Sequence, residues 1–234
     1  MDDARIEAIL THLKDAGIIA ILRGQNRNRM IERGIALSEM GCTAIEVTLD
    51  SPDALEIIAT LRRKLPDSVM LGVGTLTDLN LIDDCTRTGA EYALSPIHPN
   101  GMIQHCHAAN LLAIPGVSNT HELEDATSNG ARIVKLFPST AWDSEQIPKQ
   151  TIPLMPVGSI DSQNVWQWLD AGAWCVGMGS NLCGSDLNDD GEYSTSWVDS
   201  EEQVARGMFK ELQRRRNDAS VSYTHLTLPT ILRV

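Results

Sequence analysis

The sequence predicts an α/β fold: a (β/α)8 barrel of the TIM type, preceded by one N-terminal helix. Eight short apolar runs, the pattern of buried strands, recur along the 234 residues, and segments with helical periodicity separate most of them. Strands that alternate with helices indicate a parallel sheet. Because the runs number eight and no Gly-x-Gly-x-x-Gly motif follows the first, a closed barrel is favoured over a doubly wound open sheet.

The first predicted element is a helix, followed by the strands. Apolar residues from Ile6 to Leu13 recur at helical spacing within Asp3–Ala16, and Gly17 follows as a helix-ending residue. The apolar runs after it are the eight predicted strands: Ile18–Leu22, Ala44–Leu49, Val69–Val73, Tyr92–Leu94, Leu111–Ile114, Ile133–Phe137, Ile152–Val157 and Trp174–Met178.

Helices are predicted between these strands. They are Met30–Met40, Asp53–Leu65, Leu79–Thr88, Gly101–Asn110, His121–Asn129 and Gln163–Ala171, and the weakest helical pattern covers Asp143–Lys149. Glycine follows several of them, as at Gly41, Gly89 and Gly172, and this residue commonly ends a helix before a turn. Residues 1–220 are expected to form a single domain, because single barrels commonly have this length.

Composition argues against several classes of partner. The formal net charge of −12 argues against nucleic acid or an anionic membrane as the main partner. The five cysteines form no Cys-x-x-Cys motif, which is typical of reduced thiols in a cytosolic protein, and no residues have zinc-site spacing. The sequence shows neither a signal peptide nor an apolar run of membrane length. We expect a soluble cytoplasmic protein with no metal, no membrane and no nucleic-acid partner.

The last 14 residues do not fit the barrel pattern. Val221–Thr230 back-translates to a DNA sequence that resembles a transposase adapter used in sequencing libraries, read in one frame. We therefore interpret Val221–Val234 as a non-native tail and leave it out of the fold prediction. If it is instead a genuine exposed tail, the rest of the prediction is unchanged.

One lysine of the five stands in an apolar, β-prone run. Lys135 lies between Val134 and Leu136 in the sixth predicted strand, whereas the other four lysines stand in polar or charged surroundings. Burial disfavours an ammonium and lowers its pKa, and a neutral amine can attack a ketone to form a Schiff base. The alternative is a lysine at a strand end whose amine reaches solvent.

Glu46 is a second charged residue in a predicted core strand, where an unpaired buried carboxylate is costly. The second and sixth strands stand opposite each other in a ring of eight. Both are even-numbered, so their inward side chains can share one layer near the barrel axis. Glu46 and Lys135 would then form a nucleophile with its proton shuttle. A structural buried ion pair is the alternative.

Small residues follow the seventh and eighth predicted strands, where barrels commonly bind a phosphate through backbone N–H groups. Gly158-Ser159 follows the seventh strand, and Gly179-Ser180 follows the eighth. Glycines in such turns are often present only because they allow the backbone to turn. Their position after these two strands nevertheless favours a phosphate site.

Seven motifs follow one another between Ile18 and Leu182: Ile-Ala-Ile-Leu-Arg-Gly, Ile-Glu-Val-Thr-Leu, Gly-Val-Gly-Thr-Leu, Leu-Ser-Pro, Ile-Pro-Gly-Val-Ser, Val-Lys-Leu-Phe-Pro-Ser and Val-Gly-Ser-Ile. Together they resemble the 2-keto-3-deoxy-6-phosphogluconate aldolase family. The resemblance implies a class I aldolase on a TIM barrel, assembled as a homotrimer, with no metal or other cofactor.

The resemblance also implies roles for individual residues. Lys135 would be the Schiff-base lysine, and Glu46 the general acid and base. The implied substrate-binding residues are Arg23, Thr75 and Pro96 around the pyruvyl end, Gly158, Ser159, Gly179 and Ser180 around the phosphate, and Val157 beside these glycines.

Three departures from the gluconate branch of that family favour its 6-phosphogalactonate branch. Asp50 stands where the gluconate branch has Arg, Val157 stands where it has Thr, and Leu-Phe-Pro-Ser follows the lysine instead of Phe-Phe-Pro-Ala. Ser159 departs from both branches, which have glycine there. The backbone N–H of a serine can still bind a phosphate if its φ is negative. We expect cleavage of a 2-keto-3-deoxy-6-phospho sugar acid to pyruvate and glyceraldehyde 3-phosphate.

Two other functions remain open at the level of the sequence. A phosphate-binding barrel isomerase or synthase would use Glu46 as its base, with Lys135 only as an electrostatic partner. A catalytically silent binder of sugar-acid phosphates would be stabilised by its ligand without forming product.

Overall fold

The computed structural model of the protein describes residues 1–24, 26–184 and 199–225, and it confirms the predicted (β/α)8 barrel. Its strands are β1 (Ile18–Leu22), β2 (Ala44–Thr48), β3 (Met70–Gly74), β4 (Tyr92–Leu94), β5 (Leu112–Ile114), β6 (Gly116–Val117), β7 (Val134–Leu136), β8 (Leu154–Pro156) and β9 (Val176–Met178). All their pairings are parallel. The order β5-β4-β3-β2-β1-β9 continues to β8, β7 and β6 through a bridge between Val157 and Gly177, which closes the ring.

Pro115 divides the fifth barrel strand into β5 and β6, where the sequence predicts one run that ends at Ile114. Proline has no N–H to donate to a neighbouring strand. Its carbonyl still accepts a hydrogen bond from the Lys135 N–H at 2.9 Å, and the Gly116 N–H donates to the Ile97 carbonyl at 3.0 Å. The nine strand segments of the described residues therefore form eight barrel strands.

The helices alternate with the strands as expected. They are α1 (Asp3–Ala16), α2 (Arg27–Glu39), α3 (Ala54–Lys64), α4 (Ile82–Arg87), α5 (Met102–Ala108), α6 (Thr120–Ser128), α7 (Val165–Asp170), α8 (Ser180–Cys183) and α9 (Asp199–His225). The predicted helix over Asp143–Lys149 is a 3-10 helix, Ser144–Lys149, because Pro148 has no N–H for an α-helical hydrogen bond. Within the described ranges, no helix combines the length and the apolar character needed to cross a membrane.

Helix α9 continues past residue 220, the predicted end of the domain, to His225. Neither proline nor glycine interrupts residues 217–225, and Pro229 is the first helix-breaking residue. Of the predicted tail Val221–Val234, the first five residues therefore have helical backbone, and residues 226–234 lie outside the described residues.

Two apolar clusters separate the outside of the barrel from its inside. The outer cluster joins the strands to the surrounding helices and includes, for example, Val47 of β2 with Ile58 and Leu61 of α3. The inner cluster combines alternate strand residues with one face of α1, including Leu13. Helix α1 lies across the N-terminal ends of the strands, because His12 Nε2 is 2.7 Å from the carbonyl of Thr43, which precedes β2. The C-terminal end of the barrel is thereby left for a site.

Candidate active site

A cavity of about 490 Å3 lies at the C-terminal ends of the strands. The structure brings all ten residues named from the sequence to its wall: Arg23, Glu46, Thr75, Pro96, Lys135, Val157, Gly158, Ser159, Gly179 and Ser180. They come from β2 and β7 and from the residues that follow β1, β3, β4, β8 and β9. Most strands of the barrel therefore contribute to one pocket at the end where barrel active sites form.

Lys135 and Glu46 are the two buried charged groups of this wall. Lys135 is 5% exposed in the centre of β7, and Glu46 is 1% exposed in the centre of β2. Side chains alternate between the two faces of a strand, and both residues fall on the inward set. No ion pair or hydrogen bond joins the two side chains directly, and Oε2 of Glu46 has no partner among the described residues. Both groups therefore face the cavity separately, and a substrate can reach each of them.

Burial shifts both groups toward their neutral forms. It raises the pKa of the Glu46 carboxyl, and the Lys135 ammonium opposes this rise only in part. Burial likewise lowers the pKa of the Lys135 amine, the Glu46 carboxylate opposes this in part, and the Arg23 guanidinium adds to the lowering. The ring of Phe137, 4.9 Å from the Lys135 amine, contributes to its apolar surroundings. The cavity thus holds a lysine with more free amine than a solvated lysine has.

Two glycines of β3 make room for side chains inside the barrel. A Cβ atom added at Gly74 would lie 1.6 Å from Oε1 of Glu46, so the carboxylate lies directly against this residue. A Cβ atom at Gly72 would lie 2.1 Å from the ring of Tyr92. Any larger residue at either position would displace the side chain that lies over it.

Arg23 is the cation at the mouth of the cavity. Its guanidinium donates to the hydroxyl of Thr75 at 3.0 Å and, through Nε, toward the hydroxyl of Thr48 at 3.5 Å. Asp50 pairs with it at 3.3 Å, and both side chains are about half exposed, at 60% for Arg23 and 47% for Asp50. An anion that approaches Arg23 therefore meets a guanidinium whose charge Asp50 partly balances.

The loops after β8 and β9 form the other side of the cavity. The condition of a negative φ at Ser159 is not met: its φ is 55°, after a φ of 95° at Gly158. Asn164 Nδ2 donates to the Ser159 carbonyl at 2.8 Å, and the Ser139 hydroxyl donates to the Gly158 carbonyl, so hydrogen bonds hold the turn. A left-handed serine costs roughly 1–2 kcal/mol. This strained turn lines the cavity.

Gly179 differs from the other glycines of the wall. A Cβ atom added there would meet nothing within 4 Å, so open space lies beside its backbone. Packing against neighbouring side chains therefore does not require a glycine at this position, and a ligand can approach the backbone closely there.

The sequence prediction of the wall was incomplete. The structure adds Thr48, Phe137 and Asn181 to it. Thr48 and Phe137 lie two residues beyond Glu46 and Lys135, so the two-residue period of a strand would have found both. Asn181 has no such signal; its Nδ2 donates to the Ile160 carbonyl at 3.0 Å and ties the two loops together. In the part of the chain that the structure describes, no three His, Cys, Asp or Glu side chains are grouped to hold a metal ion.

Comparison with known proteins identifies the family. The model of the family described as KDPG and KHG aldolase matches residues 9–196, most of the chain. The chain belongs to this family. The matched region contains all the barrel strands and every cavity residue discussed above, and it identifies an aldolase, a lyase of sugar-acid metabolism.

Individual relatives agree with this assignment. The chain is 29% identical over 171 residues, 70% of its length and 83% of the relative's, to 2-dehydro-3-deoxy-6-phosphogalactonate aldolase of Escherichia coli K12. It is also 29% identical over 177 residues, 73% of its length and 82% of the relative's, to 2-dehydro-3-deoxy-phosphogluconate aldolase of Dickeya dadantii. Equal identity to both leaves the sugar epimer open.

Solved structures are similar over most of the barrel. A structure described as native KDPGal matches with a TM-score of 0.70 and 27% identity, covering 85% of this chain and 94% of that one. KDPG aldolase from Legionella pneumophila, solved with pyruvate captured as a covalent carbinolamine, matches with a TM-score of 0.69 and covers 87% and 95%. At 22% identity, the second likeness concerns the fold alone.

Proposed function

We propose that the protein is a class I aldolase that cleaves a 2-keto-3-deoxy-6-phospho sugar acid to pyruvate and glyceraldehyde 3-phosphate through a Schiff base on Lys135. The observation that carries this proposal is a buried lysine of lowered pKa that shares one cavity with Glu46, in a chain of an aldolase family. A free amine is the form that attacks a carbonyl.

Lys135 supplies the nucleophile and the electron sink. Its amine adds to the C2 ketone, and the carbinolamine loses water to give an iminium. Cleavage of the C3–C4 bond sends its electron pair to the iminium nitrogen and forms an enamine, while the C4 hydroxyl loses a proton and becomes the aldehyde of glyceraldehyde 3-phosphate. Protonation of the enamine at C3 and hydrolysis of the iminium release pyruvate and regenerate the amine.

Glu46 moves the protons of these steps. It faces the same cavity as Lys135, and its raised pKa makes it a better proton donor than an exposed carboxyl, which suits a group that must both give and take a proton. We propose that it protonates the leaving hydroxyl of the carbinolamine and accepts the C4 hydroxyl proton, with a water as intermediary. Replacing Glu46 with Gln should lower kcat roughly 10²–10⁴-fold, the range for a general acid–base group. A near-native rate would remove Glu46 from this role.

The two ends of the substrate have separate candidate partners. The Arg23 guanidinium, with Thr75 and Pro96 beside it, suits the carboxylate at the pyruvyl end. The open space beside Gly179 suits the phosphate, and the cavity-lining residues Gly158, Ser159 and Ser180 would bind it through backbone N–H groups, with Val157 next to it. We also propose a homotrimer, which the family resemblance implies, and a cytoplasmic location, which the cysteine pattern favours. Light scattering of the purified protein tests the trimer.

The galactonate epimer is the proposed substrate. Two residues support it. Val157 offers no hydroxyl to the cavity, where the gluconate branch has Thr. Asp50 pairs with Arg23, whereas the Arg of the gluconate branch at this position would bring a second cation to the substrate. A pyruvate-release assay with both 6-phospho epimers should give a higher kcat/KM for the galactonate form. Val157→Thr should lower the ratio of kcat/KM for the galactonate form to kcat/KM for the gluconate form. Equal or reversed kcat/KM values would reject the galactonate preference and leave the aldolase proposal standing.

A further inference from the structure

Tyr92 is a buried polar residue that the proposed mechanism does not use. It lies in β4, its side chain points into the barrel, and it is 0% exposed. Its ring lies against the inner face of β3, since a Cβ atom at Gly72 would come within 2.1 Å of Cε2 and 2.5 Å of Cζ. The hydroxyl, which is attached to Cζ, therefore extends into the barrel interior beside β3.

Glu46 lies against the same strand. Its carboxylate oxygen Oε1 occupies the space over Gly74, as the 1.6 Å approach of an added Cβ atom shows. Gly72 and Gly74 are successive inward positions of β3, about 6.6 Å apart along the strand. In the sheet register, Gly72 pairs with Tyr92 on one side and with Glu46 on the other. The phenol and the carboxylate thus lie over neighbouring inward positions of β3, both of which are glycines without a side chain.

Both side chains carry a buried polar atom that lacks a partner. The Tyr92 hydroxyl and Glu46 Oε2 are enclosed and have no hydrogen-bond partner among the described residues. Buried polar atoms in proteins are nearly always satisfied, often by an enclosed water that joins two of them. A phenol donates and a carboxylate accepts, so the two unsatisfied atoms are complementary.

We propose that Tyr92 is a positioning residue for Glu46: its hydroxyl donates, through one bridging water, to Oε2 of the carboxylate that lies over Gly74. The water occupies the barrel interior beneath the cavity floor. This inference rests on the proposed function of Glu46. It assigns to this chain a hydrogen-bond path that orients the proton shuttle from below while the substrate approaches from above.

The other charged and titratable groups around the pair do not supply this contact. Glu46 is faced by the charges of Lys135, Arg23 and Asp50, and Tyr92 by Glu91, Cys42 and Cys175 in addition to Glu46. Burial, followed by the Glu46 charge, raises the pKa of Tyr92 well above its ordinary value, so its hydroxyl remains a donor at working pH. A hydrogen bond donated to a carboxylate favours its ionised form.

The test is the pH profile of kcat/KM for Tyr92→Phe, which removes the hydroxyl and keeps the ring over Gly72. Without the donor, the pKa of Glu46 rises further. The acidic limb of the profile should therefore move upward by about one pH unit, and kcat near neutral pH should fall about tenfold. Glu46→Gln identifies the group that titrates in this limb, because the substitution should abolish the acidic limb both in the wild-type protein and in Tyr92→Phe.

Ile114→Val is the matched control, because Ile114 belongs to the same inner cluster and does not line the cavity. It should lower Tm without moving the acidic limb. An unchanged limb and unchanged kcat in Tyr92→Phe would overturn the proposal, and so would an equal shift in Ile114→Val. If the wild-type protein has no aldolase activity, the proposed function fails instead, so the two failures are distinct.

A second measurement covers the case in which Tyr92→Phe does not fold. Only three tyrosines are present, so 3-fluorotyrosine labelling gives three 19F signals, and Tyr193→Phe with Tyr223→Phe leaves that of Tyr92. This signal should shift in Glu46→Gln and should titrate with the acidic limb. A signal insensitive to both would overturn the proposal.

Discussion

The lower and upper halves of the barrel interior are built from the same strands with the same alternation, yet they hold opposite kinds of residues. Below, the inward positions carry Ile19, Ala44, Met70 and Leu112, packed against Leu13 of α1. Above, inward positions of the same ring carry Glu46 and Lys135, and Gly74 makes room for the Glu46 carboxylate. The lower half is filled with apolar side chains, whereas the upper half is a cavity with two buried ionisable groups.

This difference divides stability from chemistry along one axis. Apolar burial below contributes about 25 cal/mol for each Å2 removed from water. The buried amine and carboxyl above oppose folding, since burial penalises their charged forms. Truncation of an apolar side chain in the lower half should therefore lower the free energy of unfolding and leave kcat nearly unchanged. Removal of an ionisable group in the upper half should lower kcat without lowering the free energy of unfolding.

The largest effect is expected for Lys135→Met. Loss of the amine should lower kcat at least about 10⁴-fold. Because the folded-state pKa of Lys135 is lowered, its burial destabilises the fold increasingly as pH falls from 10.5 through that pKa. The variant should therefore gain more Tm over wild type at about pH 6 than at about pH 9. Lys64→Met on the surface is the control; substantial activity in Lys135→Met would contradict the account.

Leu13→Ala tests the lower half. Leu13 is fully buried between α1 and the strands, so its truncation should cost about 2–5 kcal/mol of unfolding free energy, measured by urea denaturation. The kcat of the folded fraction should stay within about twofold of wild type, because ΔΔG values of distant sites are independent. Val204→Ala, at a position that is 41% exposed, is the matched control and should change the unfolding free energy little. A large loss of kcat in Leu13→Ala would contradict the assignment of stability to the lower half and of catalysis to the upper half.

Gly74→Ala tests the upper half without removing any functional group. The new methyl would overlap Oε1 of Glu46, so the carboxylate must move, and a displacement of about 1 Å can cost roughly 10²-fold in rate. Gly207→Ala is the control: its added Cβ meets nothing within 4 Å, and a helix-interior alanine should add about 0.5–1 kcal/mol of stability. Native kcat in Gly74→Ala would show that Glu46 needs no fixed position.

The smallest predicted effect is a shift in the pH of imine formation. The half-maximal pH for trapping a pyruvate imine with borohydride should lie below the ordinary lysine value of 10.5, because burial lowers the pKa of Lys135. Glu46→Gln removes the charge that opposes this and should move the midpoint further down. Arg23→Gln removes a cation that adds to the lowering and should move it up. An upward shift of the midpoint in Glu46→Gln, or a downward shift in Arg23→Gln, would contradict the electrostatic account.

Residue types and strand periodicity predicted much of this molecule. The eight strands and α1 follow from apolar runs, Lys135 and Glu46 from charged residues in such runs, and the two glycine-serine pairs from their places after strands. The other four predicted cavity residues came only from the family resemblance: Arg23, Thr75, Pro96 and Val157. Each of these signals lies within a few consecutive residues. The same local alternation explains why Thr48 and Phe137 belong to the cavity wall.

What the sequence could not predict depends on contacts between strands. Nothing beside Gly74 in the chain indicates that Glu46 lies over it, and nothing beside Tyr92 indicates that Gly72 accommodates its ring. The sequence also did not indicate the left-handed turn at Ser159, because the hydrogen bonds that hold it come from Asn164 and Ser139. Side-chain partners across the barrel set these features.

The most direct test of the central claim is borohydride trapping with pyruvate, followed by mass spectrometry with peptide mapping. The account predicts a pyruvyl adduct on Lys135 and none on the other four lysines, with no adduct in Lys135→Met or without borohydride. No adduct on folded wild-type protein would contradict it. Lys135 would then be an electrostatic partner of Glu46 in an isomerase, a synthase or a silent binder.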